Sequence, residues 1–351
     1  MERYNRHIIL SDVGQEGQNK LLKAKVLVIG AGGLGCPILQ YLAAAGVGTI
    51  GIIDFDVVET SNLQRQILFG TSSLGQNKAI AAKNRLEDLN PTITIDAFPE
   101  KLTASNALQH FKNYDIIVDG TDNFSTRYLI NDAAVLTNKP IVYGAIYKFE
   151  GQVSVFNYNN GPSYRCLFPN PPKEGSVVNC SEVGVLGVLP GIIGTMQANE
   201  VLKIILEFDD VLSGKLYCYH SKTTSVTTLN IQRNNASFEN IQLTKVDFQN
   251  ESCQNHIKEI SAEALLNLEN IQFIDVRGLD ELPELNVSNG IKIPLAELEN
   301  SLDKIDQKAT IVVFCQSGMR SKKAVKLLNK NQIDNCFSLK NGVSSLIKQQ
   351  V

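Results

Sequence analysis

The chain has 351 residues, a length that accommodates about two domains. It is 43% hydrophobic and 20% charged, which supports a sizeable core and excludes an intrinsically disordered chain. Thirty-three basic against 36 acidic side chains give a formal charge of -3, so no bulk positive charge draws in nucleic acid or an anionic membrane.

In chain order, the N-terminus through Gly17 carries charges and lacks the apolar core of a secretory signal. From Val26 to Ile53 run 28 uncharged residues, long enough to cross a bilayer on length alone, but seven are glycine and one is proline. The run divides into a strand over Lys25–Ile29, a glycine turn, a helix over Cys36–Ala45 and a strand over Thr49–Ile53 that stops at Asp54. Its lack of charge then reflects a sheet covered on both faces. The pattern continues with helix 78–90, strand 92–97, helix 104–111, strand 114–118 ending at Asp119, helix 125–136 and strand 141–143. This alternation predicts an α/β domain with a Rossmann-like, doubly wound parallel sheet. An antiparallel extension follows: strand 151–158, a Pro- and Gly-rich loop over 161–177, a long apolar helix over 184–206 and Thr/Val-rich strands within 215–232.

Composition turns polar from Arg233 to His256, which reads as an irregular edge and a linker. A second, smaller α/β series begins beyond it: helix 262–268, strand 272–275, strand 310–314 and helix 321–328. The expected organisation is a first domain over 1–245, a linker over 246–256 and a second domain over 257–351. The seven cysteines are odd in number and form no Cys-x-x-Cys pair, which points to a reducing cytoplasm rather than a disulfide framework. Cys218, Cys253 and Cys336 lack a partner pattern and read as inert, and His110, His220 and His256 as structural or exposed.

Gly30-Ala31-Gly32-Gly33-Leu34-Gly35 follows a strand and opens a helix, and Asp54 ends the next strand 19 residues later. Glycines let the backbone approach a phosphate, the helix N-terminus offers N–H groups and a positive dipole end, and the acid suits a ribose hydroxyl. The competing reading assigns the glycines to tight helix–strand packing. Beyond Asp54 come Asp56, Ser61-Asn62-Leu63-Gln64-Arg65-Gln66, Lys78 and Asp122-Asn123. Arg65 and Lys78 can neutralise a triphosphate, and Asp122 can hold Mg²⁺ with phosphate oxygens. Taken singly, Arg65 and Lys78 would form solvated surface pairs; together with the glycines they favour ATP over a nicotinamide cofactor.

Arg3-Tyr4-Asn5-Arg6-His7, the glycine run, Asp54-Phe55-Asp56, the 61–66 segment and Asp119-Gly120-Thr121-Asp122-Asn123 together resemble the MoeB/ThiF family, bacterial relatives of ubiquitin-activating enzymes, over residues 1 to about 245. The resemblance implies Mg-ATP-dependent adenylation of the C-terminal glycine of a ubiquitin-like sulfur-carrier protein ending in Gly-Gly. It implies nucleotide contacts at Gly33 and Asp54, phosphate contacts at Asn62, Arg65, Gln66 and Lys78, and metal binding at Asp122. It also implies a homodimer in which Arg6 enters the partner's ATP site.

Relatives often carry a structural zinc held by two Cys-x-x-Cys pairs. Here the first pair reads Ser163-Tyr164-Arg165-Cys166, and the segment after Arg233 has no cysteine. One ligand remains where tetrahedral zinc needs four, so zinc is expected to be absent. In sulfur-transferring relatives a cysteine at the position of Cys180 bonds to the carrier, which implies a covalent or resolving role; a small buried hydrophobe is the other reading.

Cys315-Gln316-Ser317-Gly318-Met319-Arg320 joins a strand to a helix, where N–H donors and the dipole lower a thiol pKa. With Asp275-Val276-Arg277 and Ile293-Pro294-Leu295 it resembles a rhodanese domain, and the Cys-x₄-Arg spacing suits sulfur better than phosphate. The usual His-Ile-x-Gly-Ala segment is replaced by Asn286-Val287-Ser288-Asn289-Gly290, which leaves fine specificity open. The resemblance implies that Cys315, with Arg320, carries a persulfide received from a donor such as a cysteine desulfurase and passes it to the carrier adenylate, giving a thiocarboxylate. A carrier of the molybdopterin-synthase small-subunit type is favoured by the fusion. A thiamine-pathway carrier, a plain NAD oxidoreductase, a tRNA-base-activating relative and a non-catalytic rhodanese scaffold are the rivals.

Overall fold

The computed structural model describes residues 2–172, 184–239, 241–243, 258–268, 270–278, 280–283, 285, 287–343 and 345. The chain divides into two compact units, Met1–Asp247 and Phe248–Val351; the expected linker over 246–256 lies outside the described residues.

Near the N-terminus, α1 (Asn5–Ile8) and α2 (Gly14–Lys23) precede the sheet; neither is among the elements expected from the sequence. The uncharged run then resolves into β1 (Lys25–Ile29), α3 (Gly35–Ala45) and β2 (Thr49–Ile53). Four of five residues in each of these strands are buried, and no helix among the described residues is long and apolar enough to cross a membrane. Next come α4 (Lys78–Leu89), β3 (Thr94–Phe98), α5 (Ala107–Lys112), β4 (Ile116–Asp119), α6 (Phe124–Thr137), β5 (Ile141–Tyr147) and β6 (Glu150–Phe156). The segment 161–177 is not all loop as expected: α7 (Tyr164–Leu167) forms within it, and Tyr164 is buried against Tyr143 and Phe156. The long helix, α8 (Val188–Leu206), starts at Val188 rather than Gly184, and β7 (Lys215–His220) and β8 (Ser225–Asn230) follow.

The sheet order is β3-β2-β1-β4-β5-β6-β7-β8. Strands β3 to β5 pair in parallel and β5 to β8 antiparallel, so the doubly wound sheet with an antiparallel extension is present as expected. One core lies under α3, α4 and α8, the other under α5 and α6. The strand order reverses between β1 and β4, and in such sheets ligands bind in the crevice outside the strand C-termini at that point.

The second unit contains β9 (Glu259–Ile260), β10 (Ile271–Asp275), β11 (Gly290–Lys292), β12 (Thr310–Phe314), α9 (Met319–Lys330) and β13 (Cys336–Leu339). Its all-parallel sheet runs β11-β10-β12-β13-β9. The expected helix over 262–268 is instead a 3₁₀ turn over Glu263–Asn267, too short a segment for α-helical cooperativity.

Candidate active site

At the C-terminal ends of β1, β2 and β4 lies a cavity of about 460 Å³, within the usual range for a small-molecule ligand. Its lining includes Gly30, Gly32 and Gly33 after β1, Asp54 and Asp56 after β2, and Asp122 and Asn123 after β4. Asn62, Gln64, Arg65, Gln66 and Lys78 come from the segment between β2 and α4. Thus twelve of the residues selected from sequence meet at one place.

The turn after β1 is built for close backbone approach. Gly30 has φ +94°, where a Cβ would stand 2.8 Å from the Gly120 carbonyl oxygen. A Cβ on Gly35 would fall 2.0 Å from the Gly30 carbonyl oxygen. Gly35 is therefore a packing glycine behind the turn, outside the cavity lining, and it lets α3 begin directly under the turn.

Asp54 is buried and pins this turn: its carboxylate accepts from the Ala31 N–H at 2.7 Å and the Asp56 N–H at 2.9 Å. Burial pushes its carboxyl up from the ordinary value, opposed by those N–H groups and by Lys78. Lys78 is only 7% exposed, and its Nζ lies 3.0 Å from Asp56 Oδ2. It is not the solvated surface pair considered from sequence: burial and the Asp56 partner aim its charge at the cavity. Arg65 is half-buried and donates to the Ser61 carbonyl at 3.0 Å. Its site is thus held by backbone rather than by a carboxylate. Asp122 is exposed, and Asn123 caps α6 by accepting from the Thr126 N–H at 2.9 Å.

Besides Gly35, three other selected residues of the first unit lie outside the lining. Ser61 is exposed and donates to Glu59, Leu63 packs against the core beneath the segment, and Arg6 is exposed on α1, outside the lining. Cys180 lies outside the described residues. Lys101, Thr121 and Arg127 line the cavity without having been singled out. Arg127 is buried; it donates to the Thr121 carbonyl at 2.9 Å and stands over the Tyr143 ring, so it ties the Asp122-bearing loop to α6. Only an Arg five residues after Asp122, in the first turn of the following helix, could have signalled it.

The half-buried Cys166 takes N–H donors from Ser163 and Asn234, both at 3.3 Å. Burial raises its pKa, but hydrogen bonds from Ser163, Asn234 and Ser237 outweigh it and hold the thiol below its ordinary value. Arg233 stacks on Phe238 at 3.5 Å and donates to the Gly161 carbonyl at 2.8 Å. The two segments that a zinc would join are thus held by hydrogen bonds and stacking. Cys166 supplies one thiolate where tetrahedral zinc needs four ligands, so this donor set does not fit zinc. Cys36 and Cys336 are buried, and burial pushes their thiols up to about 12 and about 11.

In the second unit, Cys315 follows β12 and precedes α9. Ser321 donates its N–H to the sulfur at 3.4 Å, and its hydroxyl lies 3.8 Å away. Burial raises the Cys315 pKa, but N–H groups of Ser321, Ser317 and Gly318 outweigh it and hold the thiol below its ordinary value. Cys315 itself is buried, 1% exposed, at the edge of the second unit's core. Arg277, fully buried, chelates Asp275, with Nη2 2.7 Å from Oδ2. Arg320 is bound bidentately by Glu281, with Nη2 2.7 Å from Oε2.

Residues 4–240 match the ThiF family. The chain belongs to that family. Residues 260–349 match the rhodanese-like domain. A Thermus thermophilus protein named sulfur carrier protein adenylyltransferase is 51% identical over 67% of this chain and 88% of its own. A Mycobacterium tuberculosis protein named probable adenylyltransferase/sulfurtransferase MoeZ is 40% identical over 99% of this chain and 93% of its own. A Porphyra purpurea protein named probable molybdopterin-synthase adenylyltransferase is 38% identical over 98% and 92%. The crystal structure of Escherichia coli MccB shares the fold, with a TM-score of 0.58 at 23% identity over 66% of this chain and 70% of that one. This ThiF-family member, with its rhodanese-like domain, is an enzyme of the adenylyltransferase/sulfurtransferase class.

Proposed function

We propose that the chain adenylates the C-terminal glycine of a ubiquitin-like sulfur carrier ending in Gly-Gly and then converts it to a thiocarboxylate, the carrier being of the molybdopterin-synthase small-subunit type. The observation that carries this reading is the convergence of the Gly30–Gly33 turn, Asp54, Arg65, Lys78 and Asp122 on one cavity. The same chain also holds Cys315 in a cradle of N–H donors.

In this reading ATP lies with its phosphates on the glycine turn and its ribose toward Asp54, whose oxygens retain lone pairs beyond the two N–H bonds they accept. The carrier carboxylate attacks the α-phosphorus; a P–O bond forms and the bond to pyrophosphate breaks. Two anions must meet, and Arg65 and Lys78 offset their repulsion; Lys78 is held in place beforehand by Asp56. Asn62 and Gln66 contact phosphate. Asp122 would hold Mg²⁺, which when bound neutralises phosphate charge. No general base is needed, because a chain-terminal carboxyl is already ionised at pH 7.

The sulfur half begins when Cys315 accepts a sulfane sulfur from a donor such as a cysteine desulfurase. The resulting persulfide attacks the acyl carbon, AMP leaves, and an acyl disulfide joins the carrier to Cys315. A second thiolate, assigned here to Cys180, attacks the Cys315 sulfur and releases the thiocarboxylate, and a cellular dithiol reduces the disulfide left behind. We further infer a homodimer that brings Arg6 of one copy to the other's nucleotide; exposed Ile9 and Leu10 beside it support such a face.

Carrier-dependent pyrophosphate exchange tests the reading. Exchange with a molybdopterin-type carrier, lost when its Gly-Gly is removed, is the expected result. Exchange only with a thiamine-pathway carrier would reassign the carrier, and no exchange with either would sink the activity. Sedimentation at twice the chain mass is expected for the dimer.

A further inference from the structure

Two arginines stand at the Cys315 loop, and each is held by a carboxylate. Arg277 is bound by Asp275. Arg320 is bound bidentately by Glu281 while its charge also acts on the Cys315 sulfur. Glu281 is itself anchored, accepting the Gly278 N–H at 2.8 Å. Arg277 Nη2 in turn holds the Pro283 carbonyl at 3.1 Å, so the segment carrying Glu281 is tied down at both ends. The residues between Cys315 and Arg320 are Gln316, Ser317, Gly318 and Met319, none charged. Gln316 and Ser317 are exposed, and Met319 is 47% exposed. The loop therefore meets solvent with uncharged side chains, while its flanking cation is matched by a carboxylate.

We propose that Glu281 is a specificity-determining residue that turns Cys315 away from small dianionic sulfur donors and toward sulfane sulfur presented on a protein cysteine. The inference rests on Cys315 being the sulfur acceptor. With a protein persulfide, the Cys315 thiolate attacks the outer sulfur; the new S–S bond forms as the old one breaks, and the donor cysteine departs as its thiolate. With thiosulfate the same attack expels sulfite. The difference is charge: thiosulfate brings two negative charges to the loop and needs an available cation, which Glu281 occupies. A protein donor brings its charge spread over a surface and gains contact area from Met319 and its neighbours.

The test compares thiosulfate with a persulfidated cysteine desulfurase as sulfur donors to the full chain. The ratio of their kcat/KM values is expected to rise about fivefold toward thiosulfate in Glu281→Gln, the scale of a partly exposed charge pair. The gain should shrink at high salt, and Glu281→Asp, which keeps the carboxylate, should move the ratio less. Melting curves establish that the variants fold. An unchanged ratio in a folded Glu281→Gln protein, or an equal gain with both donors, overturns the inference. Cys315→Ala separates it from the reading beneath: sulfur transfer that survives that change would remove Cys315 as acceptor altogether.

Discussion

Asp54 accepts the Ala31 N–H at 2.7 Å, so the acid at the end of β2 also holds the glycine turn after β1. The residue proposed to meet the ribose hydroxyl is thereby a structural pin for the glycine turn. Asp54→Ala leaves the buried N–H of Ala31 and the part-buried N–H of Asp56 without their acceptor and should cost about 1–3 kcal/mol. Asp54→Asn keeps an acceptor and should cost less. Denaturant melts and ATP titration calorimetry check this: both variants should bind ATP more weakly, and Asn binding as tightly as Asp would argue against a nucleotide contact.

Lys78 is buried with its ammonium on Asp56. Lys78→Gln keeps most of the side-chain volume and removes the charge. Carrier-dependent pyrophosphate exchange should fall by at least about 10²-fold, as for loss of one positioned charge-stabilising group. A variant that keeps its fold and its exchange rate would place Lys78 outside the reaction.

The N–H cradle holds the Cys315 thiol below its ordinary value. A lowered folded pKa means that thiolate is present from lower pH upward, so reactivity is retained where a free thiol loses it. Iodoacetamide labelling of the Cys315 peptide, read by mass spectrometry, should reach half its maximum at a lower pH in the native chain than after denaturation. The same midpoint in both states would show that the cradle does not stabilise the thiolate.

Where relatives hold zinc, Cys166 meets the Asn234 N–H at 3.3 Å and Arg233 stacks on Phe238. Purified protein should contain less than stoichiometric zinc, and a chelator should leave its melting temperature in place. Cys166→Ala should destabilise the fold by about 1 kcal/mol through lost hydrogen bonds and packing. One zinc per chain in elemental analysis would contradict this.

Much of the first unit is legible in the chain because its signals are local. Lys25–Ile29 and Thr49–Ile53 are short apolar runs stopped by glycine and aspartate, and both strands form over those residues. The second unit is less legible: β9 and β11 have two and three residues, too few to show a period. α7 forms because Tyr164 is buried among aromatic side chains, a tertiary contact that overrides a loop-like composition.

What the amino-acid order determined by itself is the chemistry available: a glycine turn at a strand end, an acid 19 residues on, Arg65, Lys78 and Asp122 in series, and a cysteine followed after four residues by an arginine. These depend on residue type and short spacing, which a linear chain displays. The tertiary structure decided which charges act. It buried Lys78 on Asp56, set Arg127 behind the Asp122 loop, and brought Glu281 onto Arg320 from 39 residues away. Spacing along the chain carries no information about such pairs, because the sheet and its connections set the distance between them.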